Sequence, residues 1–215
     1  GLMFMEESLK RTALSMMSLA SDSPLHLPET VISEEERRKA FDETMGSNRL
    51  YFFQHFGSSA IENIVNRVRY MAKGLGCKYI ALDHLSLIVS SQENGDERKA
   101  IDQVMTLLRT LVQETNISLF VISHLRRPTG TGHEDGATTS LSQLRGSGAI
   151  AQLSDIVIGA ERNGQADDLR ERNTTQLRVL KNRWSGETGP ACRLLFNKET
   201  GRMFEIEDEP EGDVL

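Results

Sequence analysis

Residues 78–83, Lys-Tyr-Ile-Ala-Leu-Asp, decide the fold. A short apolar run closing on a single acid reads as a buried strand, too short for a helix. Before it, Ser58 to about Gly74 sets Ile61, Ile64, Val65, Val68 and Met71 on one helical face, and Gly74 and Gly76 end that helix. After it, Asp96 to about Thr115 repeats the helical pattern with Ile101, Val104, Leu107, Leu108 and Leu111. Ile117–Ser123 is then the strongest strand in the chain and ends at His124. Strands alternating with helices of these lengths predict a mostly parallel sheet covered by helices.

Further out, Gly1–Met5 (GLMFM) reads as the last half of a buried strand, and Glu6 to about Leu19 as an amphipathic helix. Residues 20–32 hold Ser, Asp and two prolines and form a loop. Ser33, with Glu36 three residues on, is a capping-box start for a second helix. Leu50–Phe53 is a short aromatic strand. Beyond His124, residues 126–140 are Gly/Thr-rich and irregular, Leu141–Leu153 can make a helix, and Asp155–Ala160 another strand. The remainder reads as antiparallel strands over about 174–183 and 190–197, turned by Ser185–Gly189. The expectation is an α/β, three-layer chain with a mostly parallel central sheet and antiparallel hairpin strands at its C-terminal end.

Composition narrows the function classes. The 215 residues are 38% hydrophobic and 26% charged, a globular balance. Net charge is −6, and six acids (Glu205, Glu207, Asp208, Glu209, Glu211 and Asp213) lie beyond the last basic residue, Arg202. The body is therefore neutral, which excludes a broad basic nucleic-acid coat; any such contact is local. Two cysteines, Cys77 and Cys192, make no disulfide framework, so a reducing cytoplasm is the default. No apolar run approaches the roughly 20 residues of a membrane span. The chain begins at Gly1 and reads as a piece of something longer.

In sheets of this class, ligands bind beyond the carboxyl ends of the strands. Glu6, Asp83 and His124 all stand at such ends. Asp83 after Tyr-Ile-Ala-Leu has the form of a Walker B carboxylate, which can hold a hydrated Mg²⁺ on nucleotide phosphates. Glu6 suits a general base for water, with Glu7 as a solvated first-turn acid. His124 could donate to a γ-phosphate oxygen, or be a loop-entry histidine bonded to backbone. Lys181 and Arg183, two apart on a strand, point to one face; they are either solvated or reach an anion on a neighbouring subunit. No G-x-x-x-x-G-K-[ST] or G-x-G-x-x-G occurs, and Arg145-Gly146-Ser147-Gly148 lacks the following Lys. The phosphate-cradling loop is therefore expected upstream of residue 1.

Taken in order, MEES (5–8), YIALDHLSLIV (79–89), DERKAID (96–102), VISHLRRP (121–128), LRGSGAIAQLSD (144–155) and LKNRWSGETG (180–189) closely resemble the helicase domain of phage replicative primase–helicases. That family is related to bacterial DnaB-type and mitochondrial Twinkle-type hexameric helicases with RecA-like cores. The resemblance covers about residues 1–204, leaving 205–215 as an acidic, flexible tail. It implies Glu6 as the glutamate that activates water, Asp83 as the Mg²⁺-holding Walker B aspartate and His124 as the γ-phosphate sensor. It further implies Arg183 as an arginine finger into the next subunit, accompanied by Lys181, and Gln152 as the link between nucleotide state and a central channel. The loops at about 88–98 and 125–139 correspond to channel loops that bind single-stranded DNA, with Ser90, Ser91, Arg126, Arg127 and Arg145 as candidate contacts. Two departures stand out: Ala151 occupies a position that is basic in phage relatives, and the second channel loop carries only Arg126 and Arg127 among Gly and Thr.

The resemblance implies a ring, a hexamer by analogy, that hydrolyses NTP (ATP or dTTP) with Mg²⁺ and moves 5′ to 3′ on single-stranded DNA. It also implies docking of the acidic tail on a replicative DNA polymerase, in a phage-infected cell's cytoplasm. The 215 residues alone are expected to be inactive. The rival readings are a RecA/RadA-type recombinase, against which the Lys181–Gly189 hairpin argues, and a non-catalytic oligomerisation or DNA-binding module.

Overall fold

The computed structural model describes residues 1–53, 61–86, 97–126, 132–144 and 148–207. The chain divides into two compact units, one of residues 1–125 and 144–154, the other of 126–143 and 155–215.

The first unit is built on a parallel three-stranded sheet in the order β1 (Leu2–Phe4), β2 (Tyr79–Asp83), β3 (Ser118–Val121). Register pairs Phe4 with Asp83 and Leu82 with Val121. Strand alternation sends Ile80 and Leu82 to the interior, where both are fully buried, with Met3 equally buried on β1. Helices α3 (Ile61–Lys73) and α4 (Glu97–Thr115) pack on one another through the faces expected from their spacing. Val68, Val104 and Leu111 are wholly excluded from solvent. Truncating any one of these to Ala would cost on the order of 2–5 kcal/mol through lost burial and the void left behind. The exposed rim of this packing is pinned by Arg69 and Glu114, 3.2 Å apart.

Helices α1 (Leu9–Ser21) and α2 (Glu34–Glu43) enclose a smaller cluster of Met17, Leu25 and Ala40. The capping box is made in full: Ser33 Oγ accepts from Glu36 N–H, and the Glu36 carboxylate accepts from Ser33 N–H. The aromatic segment at 50–53 reduces to one parallel bridge, Leu2 with Phe52. The stretch expected as a helix over 141–153 is broken into a 3₁₀ turn at Leu141–Gln143 and a short helix α5 (Ala149–Leu153). The two glycines, Gly146 and Gly148, lie between them and oppose a continuous helix.

The second unit holds a four-stranded antiparallel sheet, β4 (Ile156–Glu161), β5 (Thr174–Asn182), β6 (Gly189–Phe196) and β7 (Met203–Ile206), paired in chain order. The parallel and antiparallel strands thus form separate hydrogen-bonded sheets. Gly186, at φ +74°, takes the left-handed conformation in the turn joining β5 to β6. A one-turn helix α6 (Leu169–Arg172), capped by the Asp168 carboxylate on Glu171 N–H, precedes β5. The acidic stretch starts later than expected: Glu205 and Ile206 belong to β7, opposite Leu194 and Arg193. Alternating Met203, Phe204, Glu205 and Ile206 can serve as a half-exposed edge strand, where an acid is tolerated.

Candidate active site

The carboxyl ends of β1 and β2 bring the expected residues together. The ladder runs on past the strands: Met5 N–H donates to Asp83 C=O at 2.9 Å, and Leu85 N–H to Ile122 C=O at 2.9 Å. Glu6 and Asp83 therefore emerge side by side, and His124 leaves from the neighbouring strand.

One contact joins these ends. The Glu6 carboxylate lies 3.0 Å from Nε2 of His84, whose ring in turn stacks on His124 with centroids 4.0 Å apart and planes at 29°. His84 is almost wholly buried, whereas Glu6 is half exposed and His124 exposed. Sequence reading passed over His84, yet alternation carries the signal. Ile80, Leu82 and His84 share one strand face, and a polar side chain there breaks an otherwise buried apolar stripe. Asp83 points the other way, is half-buried, and makes no hydrogen bond or ion pair among the described residues. The His124 ring likewise makes no hydrogen bond there, so the backbone-bonded alternative does not hold.

The donor chemistry fits Mg²⁺. That ion keeps most of its waters and uses one or two carboxylates together with substrate phosphates, and Asp83 offers one unengaged carboxylate. Among the described residues, no group of three or more His, Cys, Asp or Glu could cage a metal by itself.

Gln152 sits on α5, where with Asp102 and Thr106 of α4 and with Gly148, Ala149 and Leu153 it lines a cleft of about 420 Å³. In the second unit, Lys181 lies within β5 opposite Val157. Arg183 falls just beyond β5; its N–H donates to Asp155 C=O, and its guanidinium lies 3.5 Å from the Asp155 carboxylate. Arg126 is exposed, with its N–H donating to Gln143 C=O and its own C=O 3.2 Å from His133 Nε2. Ser90, Ser91, Arg127 and Arg145 lie outside the described residues.

A second feature that sequence reading missed is the buried carboxylate of Glu161. It accepts from Thr139 N–H and Oγ–H (2.7 and 2.8 Å) and from Arg178 Nε and Nη2 (2.7 and 3.3 Å). Burial works against its charge, but the hydrogen bonds from Arg178 and Thr139 outweigh it and hold the carboxyl below the usual range. Glu161 opposes Gln176 and Arg178 opposes Gly159, so the pair is a cross-strand diagonal. Gly159 is required beside it, since a Cβ there would collide with Thr139 Oγ.

Residues 3–205 match the family of DnaB-like helicase C-terminal domains. The chain belongs to that family. It is 40% identical over 206 residues to the DNA helicase/primase of Enterobacteria phage T3, covering 94% of this chain and 36% of that protein. It is 26% identical over 149 residues to the replicative DNA helicase DnaC of Bacillus subtilis, covering 68% of this chain and 32% of the relative. The chain thus spans about a third of the length of these curated relatives. Among solved structures it resembles an isolated helicase ATPase domain, with TM-score 0.78 and 22% identity over 96% of this chain and 74% of that one. It also resembles a DnaB-like replicative helicase solved for its interactions with primase, with TM-score 0.76 and 22% identity over 96% and 50%. These two likenesses establish the RecA-like helicase ATPase fold. Among the described residues, no helix of this DnaB-like domain is long and apolar enough to cross a membrane.

Proposed function

We propose that this domain is the motor of a ring-forming replicative helicase, which hydrolyses NTP at subunit interfaces and moves 5′ to 3′ along single-stranded DNA. The observation that carries the reading is the convergence of Glu6, Asp83 and His124 at adjacent ends of one parallel sheet, in a chain of this family.

In this reading Glu6 orients the attacking water and accepts its proton. Asp83 holds Mg²⁺, which when bound neutralises charge on the β- and γ-phosphates. His124, its ring otherwise unbonded, donates to a γ-phosphate oxygen. Arg183, with Lys181 beside it, stabilises the transferred phosphoryl group in the neighbouring subunit; leaving Asp155 for that site costs little, because the 3.5 Å pair is part-exposed. Gln152 couples the nucleotide to the channel, where Arg126, Arg127, Arg145, Ser90 and Ser91 meet the DNA backbone. Residues 1–204 form the motor core, and the acids beyond them engage a basic patch on the replicative polymerase. A phosphate-binding loop is absent from the 215 residues, so hydrolysis requires one supplied from elsewhere in the protein.

Strand displacement on forked duplexes tests the reading. The full-length protein with NTP and Mg²⁺ should release the strand from forks bearing a 5′ single-stranded tail. Failure to displace, or displacement without NTP, overturns the proposal.

A further inference from the structure

We propose that His84 is the positioning residue for Glu6, fixing the general base and the phosphate-sensing His124 with one buried ring. The inference rests on the reading of Glu6 as the base. Glu6 is half exposed, and its only hydrogen-bonded partner among the described residues is His84, at 3.0 Å. Left alone, such a glutamate samples several rotamers. His84 cannot: its side chain is 5% exposed, its ring lies against His124, and the following residue is held in the ladder by Leu85 N–H to Ile122 C=O. A rigid donor therefore meets a mobile acceptor. Nε2–H donates to one carboxylate oxygen and leaves the other for water, the base-plus-orienter arrangement that reactive constellations use.

Stability gives no reason for an imidazole here. His84 continues the buried face of Ile80 and Leu82, and its Nδ1 is buried with no hydrogen-bond partner, so an apolar side chain would sit there at lower cost. What the imidazole adds is the bond to Glu6 and a flat surface for His124.

The test uses the full-length helicase, with kcat, KM and affinity for a fluorescent, non-hydrolysable imido analogue of ATP. His84→Phe keeps the flat ring and removes the donor. It should lower kcat about 10- to 100-fold, the scale for losing a partner that orients a reacting group, with KM and analogue affinity unchanged. His84→Gln can present an amide N–H near the Nε2 position and should recover much of kcat; the shorter His84→Asn cannot and should not. On a Glu6→Gln background, His84→Phe should cost little more, because both changes remove the same function. Wild-type kcat in His84→Phe, equal kcat in the Gln and Asn variants, or full additivity with Glu6→Gln overturns the proposal. Should His84→Phe not fold, the Gln–Asn contrast decides alone. If Glu6→Gln itself retains wild-type kcat, it is the assignment of the base that fails.

Discussion

Removing the Glu161 carboxylate should unfasten the segment around Thr139 from the antiparallel sheet. In Glu161→Ala, Arg178 loses its ion pair and Thr139 loses the acceptor for both N–H and Oγ–H. Breaking a buried pair from one side costs about 3–5 kcal/mol. Arg178 keeps 24% side-chain exposure and recovers some hydration, which brings the expected loss to about 2–4 kcal/mol. For a chain of this size that is a fall in Tm of about 5–15 °C. Replacing both partners by apolar residues, Glu161→Leu with Arg178→Met, should restore most of the stability, since the desolvation of two charges disappears along with their attraction. The pH dependence has a definite sign. The folded-state carboxyl is held below its ordinary value of 4.5. Its contribution is therefore fully present above the unfolded value and lost as pH falls through the folded one. Thermal unfolding of wild type and Glu161→Ala, followed from neutral pH into acid, should show two curves that converge only in acid. A Tm gap that is absent at neutral pH, or that does not shrink as the pH falls, would refute the reasoning.

Three further outcomes are expected. Arg183→Ala should slow NTP hydrolysis about 10³-fold, the lower scale of an arginine finger. Rings mixing Arg183→Ala with Glu6→Gln subunits should regain activity at interfaces carrying neither defect, and mixtures no better than their parents would exclude action in trans. Arg126→Ala with Arg127→Ala should weaken single-stranded DNA binding and flatten its salt dependence, because few phosphates are neutralised per subunit. An unchanged salt slope in a filter-binding titration would move the contact elsewhere. Deleting residues 208–215, which spares β7, should leave unwinding intact and weaken polymerase affinity, most at low salt where charge acts over longer distances. Equal affinity across the titration would count against docking by the tail.

The first unit was legible because its signals are local. The lengths and periods around Lys78–Asp83 and Ile117–His124 specify strands and covering helices, and Ser33 with Glu36 marks a helix start by its own hydrogen bonds. What escaped depended on context that composition hides. The density of acids after Arg202 masked the alternation of Met203–Ile206, which becomes a strand only because β6 offers an unpaired edge. Glu161 and Arg178 stand 17 residues apart, and their meeting depends on a register shifted by the irregularity at Val157–Ile158. No single-strand pattern encodes that. His84 is different: its parity with Ile80 and Leu82 was present in the sequence, but attention to the neighbouring acid obscured it. The strand-end triad itself was readable, because parallel sheets put chemistry at one end.

The central claim is that this strand-end cluster hydrolyses nucleotide, and single-turnover NTP hydrolysis by full-length Glu6→Gln, with analogue affinity measured on the same preparation, tests it most directly. The account predicts a rate reduced about 10²–10⁴-fold with affinity unchanged; a wild-type rate, or a loss confined to nucleotide binding, would contradict it.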